Sequence, residues 1–145
     1  MNIIQFIKES PKAELHLHIE GTLEPEQMFS LAKKNKIKIP FNNISDVKKA
    51  YNFSNLESFL KIYYEGAKVL VKEQDFFDLT WSYVLKCKED KVVHTEIFFD
   101  PQTHVDRGIN FDVVINGIYK ALKKAENDFG LSFKIIMCFL RHLDQ

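Results

Sequence analysis

The sequence predicts an α/β fold on a parallel sheet, and three observations carry that reading. Short apolar or β-branched runs alternate with longer amphipathic stretches along the 145 residues. No internal repeat, low-complexity tract or flexible linker interrupts them. Polar, chemistry-bearing side chains gather just after each apolar run: His18 and Glu20, then Asp100 to His104, then Arg141-His142. Strand, helices, strand, helix, strand is the order of right-handed βαβ crossovers, and such sheets hold ligands at the carboxyl ends of their strands.

In chain order, Ile3 to Ile7 forms a short helical turn ended by Ser10-Pro11. The first strand follows and runs to Glu20, where Gly21 breaks it. Pro25 suits a first helical turn, and Glu24 and Glu26 suit the positive end of its dipole, so a helix spans about Pro25 to Lys34. Phe41 to Phe53 is polar and irregular, with one helical turn at Asp46 to Ala50. Leu56, Phe59, Leu60, Tyr63, Ala67 and Leu70 recur at helical spacing behind a Ser54 or Asn55 cap. A further helix begins near Glu73 and carries Phe76, Thr80, Tyr83, Val84 and Cys87 on one side. Val92 to Phe99 is rich in β-branched and aromatic residues and stops at Asp100-Pro101, which makes it a strand. Asn110 caps a helix whose stripe runs from Phe111 to Phe129, and Gly130 ends it. Ser132 to Leu140 then reads as a strand buried on both faces.

Composition narrows the function. Twenty basic residues balance twenty acidic ones, so no net field favours nucleic acid or an anionic membrane, and neither is expected as a partner. No run approaches the ~18 apolar residues of a spanning helix, and the first ten residues are too polar for a signal peptide; a cytoplasmic chain is expected. Cys87 and Cys138 are far apart inside apolar segments and read as buried reduced thiols. The absence of Cys-x-x-Cys excludes zinc fingers and the His/Cys/Cys type of zinc deaminase. HExxH, a glycine-rich phosphate loop and GxSxG are also absent.

The remaining chemistry lies in Pro11 to Thr22, PKAELHLHIEGT. Taken with a period of two, Ala13, Leu15, Leu17 and Ile19 share one face, and Glu14, His16, His18 and Glu20 share the other. Leu15 and Leu17 are then expected to pack beneath the helices, with Glu20 at the rim. His16 and His18 would stand roughly 6.6 Å apart at Cα, a span two imidazoles can close onto one metal at about 2.0–2.1 Å per bond. Their rings are expected on one side, within about 3–5 Å of each other. The same pattern also describes the wet face of a half-buried strand, and the spacing alone does not choose between them.

These residues carry a resemblance. The segment Pro11 to Leu23 resembles the first-strand motif of the adenosine/adenine deaminase family of zinc-dependent (β/α)₈-barrel aminohydrolases. Phe59-Leu60-Lys61-Ile62-Tyr63-Tyr64-Glu65-Gly66, Ile97 to His104 and Phe139 to Leu143 are similar to its later segments, in the same order. Glu20 and the FFDPQTH segment are similar to the adenine deaminase branch. The resemblance implies that residues 1–145 are one unit, the N-terminal part of a (β/α)₈ TIM-type barrel with about three parallel strands and flanking helices, since a closed barrel needs about 250 residues. It implies His16 and His18 as Zn²⁺ ligands, Glu20 beside a purine base where a ribose would otherwise extend, and Phe59 and Tyr63 as the wall over the ring. The implied reaction is hydrolytic deamination of adenine, with adenosine the alternative substrate: zinc lowers the pKa of a water toward about 7, hydroxide attacks the amine-bearing carbon, an acid protonates the ring nitrogen, and ammonia leaves.

The family's third histidine ligand, zinc-binding Asp, proton-shuttling Glu and hydroxide-orienting His belong to later strands, and no such motif occurs in this chain. The resemblance therefore puts no catalytic residue within these 145 residues and implies that the catalytic groups lie beyond Gln145. His94 reads as a packed or satisfied strand histidine, and His104 and His142 as hydrogen-bonding loop residues. The chain alone is accordingly expected to be inactive. A non-catalytic fragment that associates with another chain, or with itself, through an open sheet edge is the alternative of a different class.

Overall fold

In the computed structural model, which describes residues 2–141, three parallel strands lie in the order β1 (Lys12–His18), β2 (Val92–Phe99), β3 (Ser132–Met137). Seven helices connect or flank them: α1 (Ile3–Glu9), α2 (Pro25–Asn35), α3 (Ile44–Ala50), α4 (Leu56–Ala67), α5 (Glu73–Glu89), α6 (Pro101–Val105) and α7 (Phe111–Phe129). Asn2, Asn43, Asn55 and Asn110 each cap a helix N-terminus with the side-chain oxygen. Gly130, at φ 73, ends α7 in the left-handed conformation that glycine adopts without strain.

The core forms where α5 and α7 cover one face of the sheet. Thr95, Ile97 and Phe99 of β2 point into it and are fully buried, with Phe76, Leu79 and Val84 of α5 and Val114, Ile118 and Leu122 of α7. Gly117 sets the helix contact. A Cβ there would run into Glu73 O and lie 2.7 Å from Phe76 Cβ, so only a bare Cα lets the two helices meet.

The strand β1 departs from its expected pattern. Glu14 pairs with Thr95 but Leu17 pairs with Ile97, so β1 advances three residues while β2 advances two. Thr95 faces α5, where its hydroxyl meets that of Tyr83 at 2.6 Å. Glu14 is thereby carried to the helix side. Burial chiefly, with the Glu14 charge a smaller cause, pushes the Tyr83 hydroxyl and the Cys87 thiol up. Leu15 is correspondingly 58% exposed rather than packed beneath the helices, while Leu17 does pack against the core.

The strand β3 is shorter than Ser132 to Leu140 and is not buried on both faces. Cys138 N–H still reaches Phe99 O at 3.0 Å, but Leu140 N–H turns to the Gln102 side chain, which ends the ladder. Ser132, Lys134 and Met137 are exposed because, among the described residues, nothing packs beyond this edge. One side of β1 is likewise open, and Ile3, Ile4, Phe6 and Ile7 of α1 are all more than half exposed. None of the described helices is long and apolar enough to cross a membrane.

Asp75, buried at the start of α5, ties α2 to α5. It accepts from Lys34 Nζ (2.9 Å), Asn35 Nδ2 (2.7 Å) and the backbone N–H groups of Val71 and Lys72. Burial pushes its carboxyl up, but the Lys34 contact and the other donors outweigh it and hold it below its ordinary 3.8. The resulting stability is complete above that value and is lost as pH falls through the lower folded value. Asp75→Asn should cost about 2–3 kcal/mol at pH 7 and flatten the acid limb of a urea-midpoint-against-pH curve. Gly117→Ala should cost about 1–3 kcal/mol by forcing α5 and α7 apart, read as a lowered thermal midpoint.

Candidate functional site

Because the strands are parallel and paired, their carboxyl ends arrive together. His18 ends β1, Asp100 follows β2 and Cys138 follows β3, and one ligand-type atom of each lies within 4.8 Å of the others. His16 joins them from β1. Both imidazoles stack on Phe98 of β2, at centroid distances of 4.3 Å for His16 and 5.4 Å for His18, and their own centroids are 5.5 Å apart. The rings therefore share one side, set slightly wider than the 3–5 Å spacing expected. His16 is exposed and His18 half-buried, since this face of the sheet has little cover.

A cleft of about 520 Å³ opens over the two histidines and is walled by Phe59, Tyr63 and Tyr64 of α4 with Asp100 and Cys138. Phe59 and Tyr63, one helical turn apart, present rings 5.9 Å apart. Burial, then the Glu20 and Asp100 charges, drives the Tyr63 hydroxyl far above its ordinary pKa, so it remains a proton donor at neutral pH. Burial and Asp100 push the Cys138 thiol up to about 11, which keeps it protonated. Two imidazoles on a shared platform at an open strand end fit two nitrogen ligands of a metal, and the buried Asp100 Oδ1 beside His18 has no hydrogen-bond partner of its own.

Behind the cleft lies a buried polar chain. After β1 the backbone enters a 3₁₀ turn, Ile19–Thr22, which rotates Glu20 inward. Glu20 is not at the rim but 2% exposed, because its carboxylate has donors to reach inside. Oε1 accepts from Asp100 N–H (3.0 Å) and His104 Nε2 (3.0 Å), and Oε2 lies 3.2 Å from the Tyr63 hydroxyl, which is closer to Asp100 Oδ2 at 2.8 Å. Arg107 Nη2 lies 2.9 Å from His104 Nδ1. Guanidinium only donates, so Nδ1 is the acceptor and Nε2 carries the proton given to Glu20. Arg107 also donates to the carbonyls of Thr103, Lys68, Ala67 and Leu70.

The structure thus brings His16, His18, Phe59 and Tyr63 to one cleft and sets Glu20 behind it, beside a smaller cavity shared with Tyr63 and Phe59. His104 is a fully buried hydrogen-bonding residue, and His94 is satisfied by Ser132 Oγ at 2.9 Å. His142 lies outside the described residues, and so does Gln145, the position beyond which the catalytic groups are expected. Phe98, Tyr64 and Arg107 were not singled out from sequence. Cys138 is not enclosed in a strand but stands at the cleft, half-buried.

A family model described as adenosine deaminase matches residues 11–145. The chain belongs to that family. It is 64% identical over 143 residues to an adenine deaminase of Psychrobacter cryohalolentis, covering 99% of this chain and 43% of the relative. An adenine deaminase of Acinetobacter baylyi is 59% identical over the whole chain and 44% of its own length. Among solved structures, the adenine deaminase of Arthrobacter aurescens superposes with a TM-score of 0.88 at 46% identity, covering 92% of this chain and 41% of that one. A zinc-bound amidohydrolase of Burkholderia ambifaria shares the fold, with a TM-score of 0.82 at 22% identity over 97% of this chain and 38% of that one. The fold is accordingly the N-terminal part of a (β/α)₈ barrel, and the chain spans less than half the length of the relatives it matches.

Arg107→Lys keeps the charge but loses the planar fork that serves four carbonyls and His104. It should cost about 2 kcal/mol in denaturant unfolding and release the tautomer of His104, visible in its imidazole ¹⁵N shifts.

Proposed function

We propose that the full-length protein hydrolyses adenine to hypoxanthine and ammonia with a zinc ion held in part by His16 and His18. The observation that carries the reading is the pair of imidazoles stacked on Phe98 at the carboxyl end of a parallel sheet, opening into an aromatic-walled cleft. The relatives named adenine deaminase supply the substrate class. When bound at such a site, zinc lowers the pKa of water and so supplies a nucleophile at neutral pH.

The chain's own residues bind and orient. Phe59 and Tyr63 offer flat apolar surface to a purine ring, and the neutral Tyr63 hydroxyl keeps its proton at the cleft's polar end. Glu20 works from behind, anchoring Tyr63 and Asp100 where a ribose would extend, which favours the free base. The acid that protonates the ring nitrogen, and the remaining metal ligands, come from chain beyond Gln145 in the full-length protein. Two cysteines read as reduced thiols and a free-base substrate fit a cytoplasmic role in purine salvage, with no nucleic-acid or membrane partner.

In the full-length protein, His16→Ala or His18→Ala should abolish stoichiometric zinc and activity together, whereas Lys33→Ala changes neither; metal analysis beside an ammonia-release assay reads both. Retention of zinc by either histidine variant would remove the basis of the assignment. Adenine should show the higher kcat/KM, with Glu20→Asp the variant that narrows the gap; equal or better turnover of adenosine defeats that preference. Residues 1–145 alone should release no ammonia from adenine, and their open β1 and β3 edges should make them self-associate in sedimentation experiments.

A further inference from the structure

Asp100 is held at two points and free at a third. Its backbone N–H donates to Glu20 Oε1 at 3.0 Å, and its Oδ2 accepts the Tyr63 hydroxyl at 2.8 Å. The residue is 4% exposed, yet Oδ1 has no hydrogen-bond partner. Buried carboxylate oxygens are seldom left so. His18 Nδ1 stands 3.5 Å from Oδ1, just outside a hydrogen bond. Since Oδ2 and the backbone fix the carboxyl group, a small turn of the imidazole closes that gap.

We propose that Asp100 is a positioning residue for His18: Oδ1 accepts the proton on His18 Nδ1 and so leaves Nε2 as the nitrogen that meets the metal. The proposal rests on His18 being a metal ligand, as read above. On an imidazole the two nitrogens point to opposite sides of the ring, so an Nδ1 turned toward Asp100 sends Nε2 away from it. A carboxylate on the far nitrogen fixes the tautomer and raises the basicity of the ligating one. Among the described residues no ion pair joins His16 to a carboxylate; its ring stacks on Phe98 and, less closely, on His18. The two histidines are therefore unequal, with His18 the stronger ligand. Asp100 follows β2 by one residue and His18 ends β1, so the strand register itself delivers the pair. The competing arrangement, in which Asp100 binds the metal directly beside His18 and Cys138, would break its contact with Tyr63 or leave His18 without a proton acceptor.

The test uses the full-length, zinc-loaded protein. Long-range ¹H–¹⁵N correlation spectra should show His18 protonated at Nδ1. Asp100→Asn, which keeps the shape but removes the charge, should weaken zinc 10–100-fold in competition with a chelator, and Asp100→Ala should weaken it at least as much, with Lys33→Ala as the baseline. If neither Asp100 variant folds, the spectrum of the parent protein still decides. A proton on His18 Nε2, undiminished zinc affinity in both Asp100 variants, or a carboxylate oxygen of Asp100 in the zinc coordination sphere by X-ray absorption would each overturn the proposal. The two readings fail differently. Zinc that survives His18→Ala removes the metal-site reading and this proposal with it, whereas zinc that depends on His18 but finds Nε2 protonated removes this proposal alone.

Discussion

The buried carboxylate of Glu20 is the constraint on which the strand-end architecture depends. A charge removed from water must be met by donors, or the fold loses several kcal/mol. Glu20 finds full donors on two separate segments, the Asp100 amide after β2 and His104 of α6, and shares with Asp100 the single hydroxyl proton of Tyr63 on α4. Satisfying it therefore fixes the end of β2 against the end of β1 and draws α4 across both. Arg107 extends the chain of contacts by accepting no proton itself, which forces His104 to present Nε2–H inward and leaves the last turn of α4 stitched to α6 through its carbonyls. Removing any one of these donors leaves a neighbour unpaired, so the network stands or falls as a unit.

Much of this was legible from sequence, for reasons that lie in particular residues. Asn55 and Asn110 sit where orphan amides need an acceptor, and Asp100-Pro101 closes a strand, so α4, α7 and β2 begin or end where the pattern puts them. The shared face of His16 and His18 followed from a local alternation, and its place at the strand's carboxyl end from the rule for parallel sheets. Phe59 and Tyr63 were tied to the same site only by what the family resemblance implies. What escaped was set by neighbours. A strict period of two fails at β1 because its register with β2 slips, which moves Glu14 to the helix side and exposes Leu15. Glu20 looked like a rim residue because a polar residue after a strand usually faces water. Nothing local announces that a 3₁₀ turn will aim it at an amide eighty residues away. The five-residue α6 hid in a motif read as a loop, although Asp100-Pro101 is also a helix start.

The asymmetry of the sheet has one origin. Its helix-covered face is finished, with Ile97, Phe99 and Leu122 sealed from solvent, while the face that bears the histidines and both outer edges are wet. In a closed barrel the second face is the interior, and it is covered only when the strands complete the circle.

Phe98 gives the histidine pair a property that distances alone do not express. Two imidazoles resting on one rigid ring have already surrendered much of their rotamer freedom when the chain folds. For the zinc site proposed above, an incoming ion would meet ligands whose orientational entropy is largely lost beforehand, so more of each metal–nitrogen bond would appear as affinity. A flexible pair on a loop would have to be ordered by the ion itself.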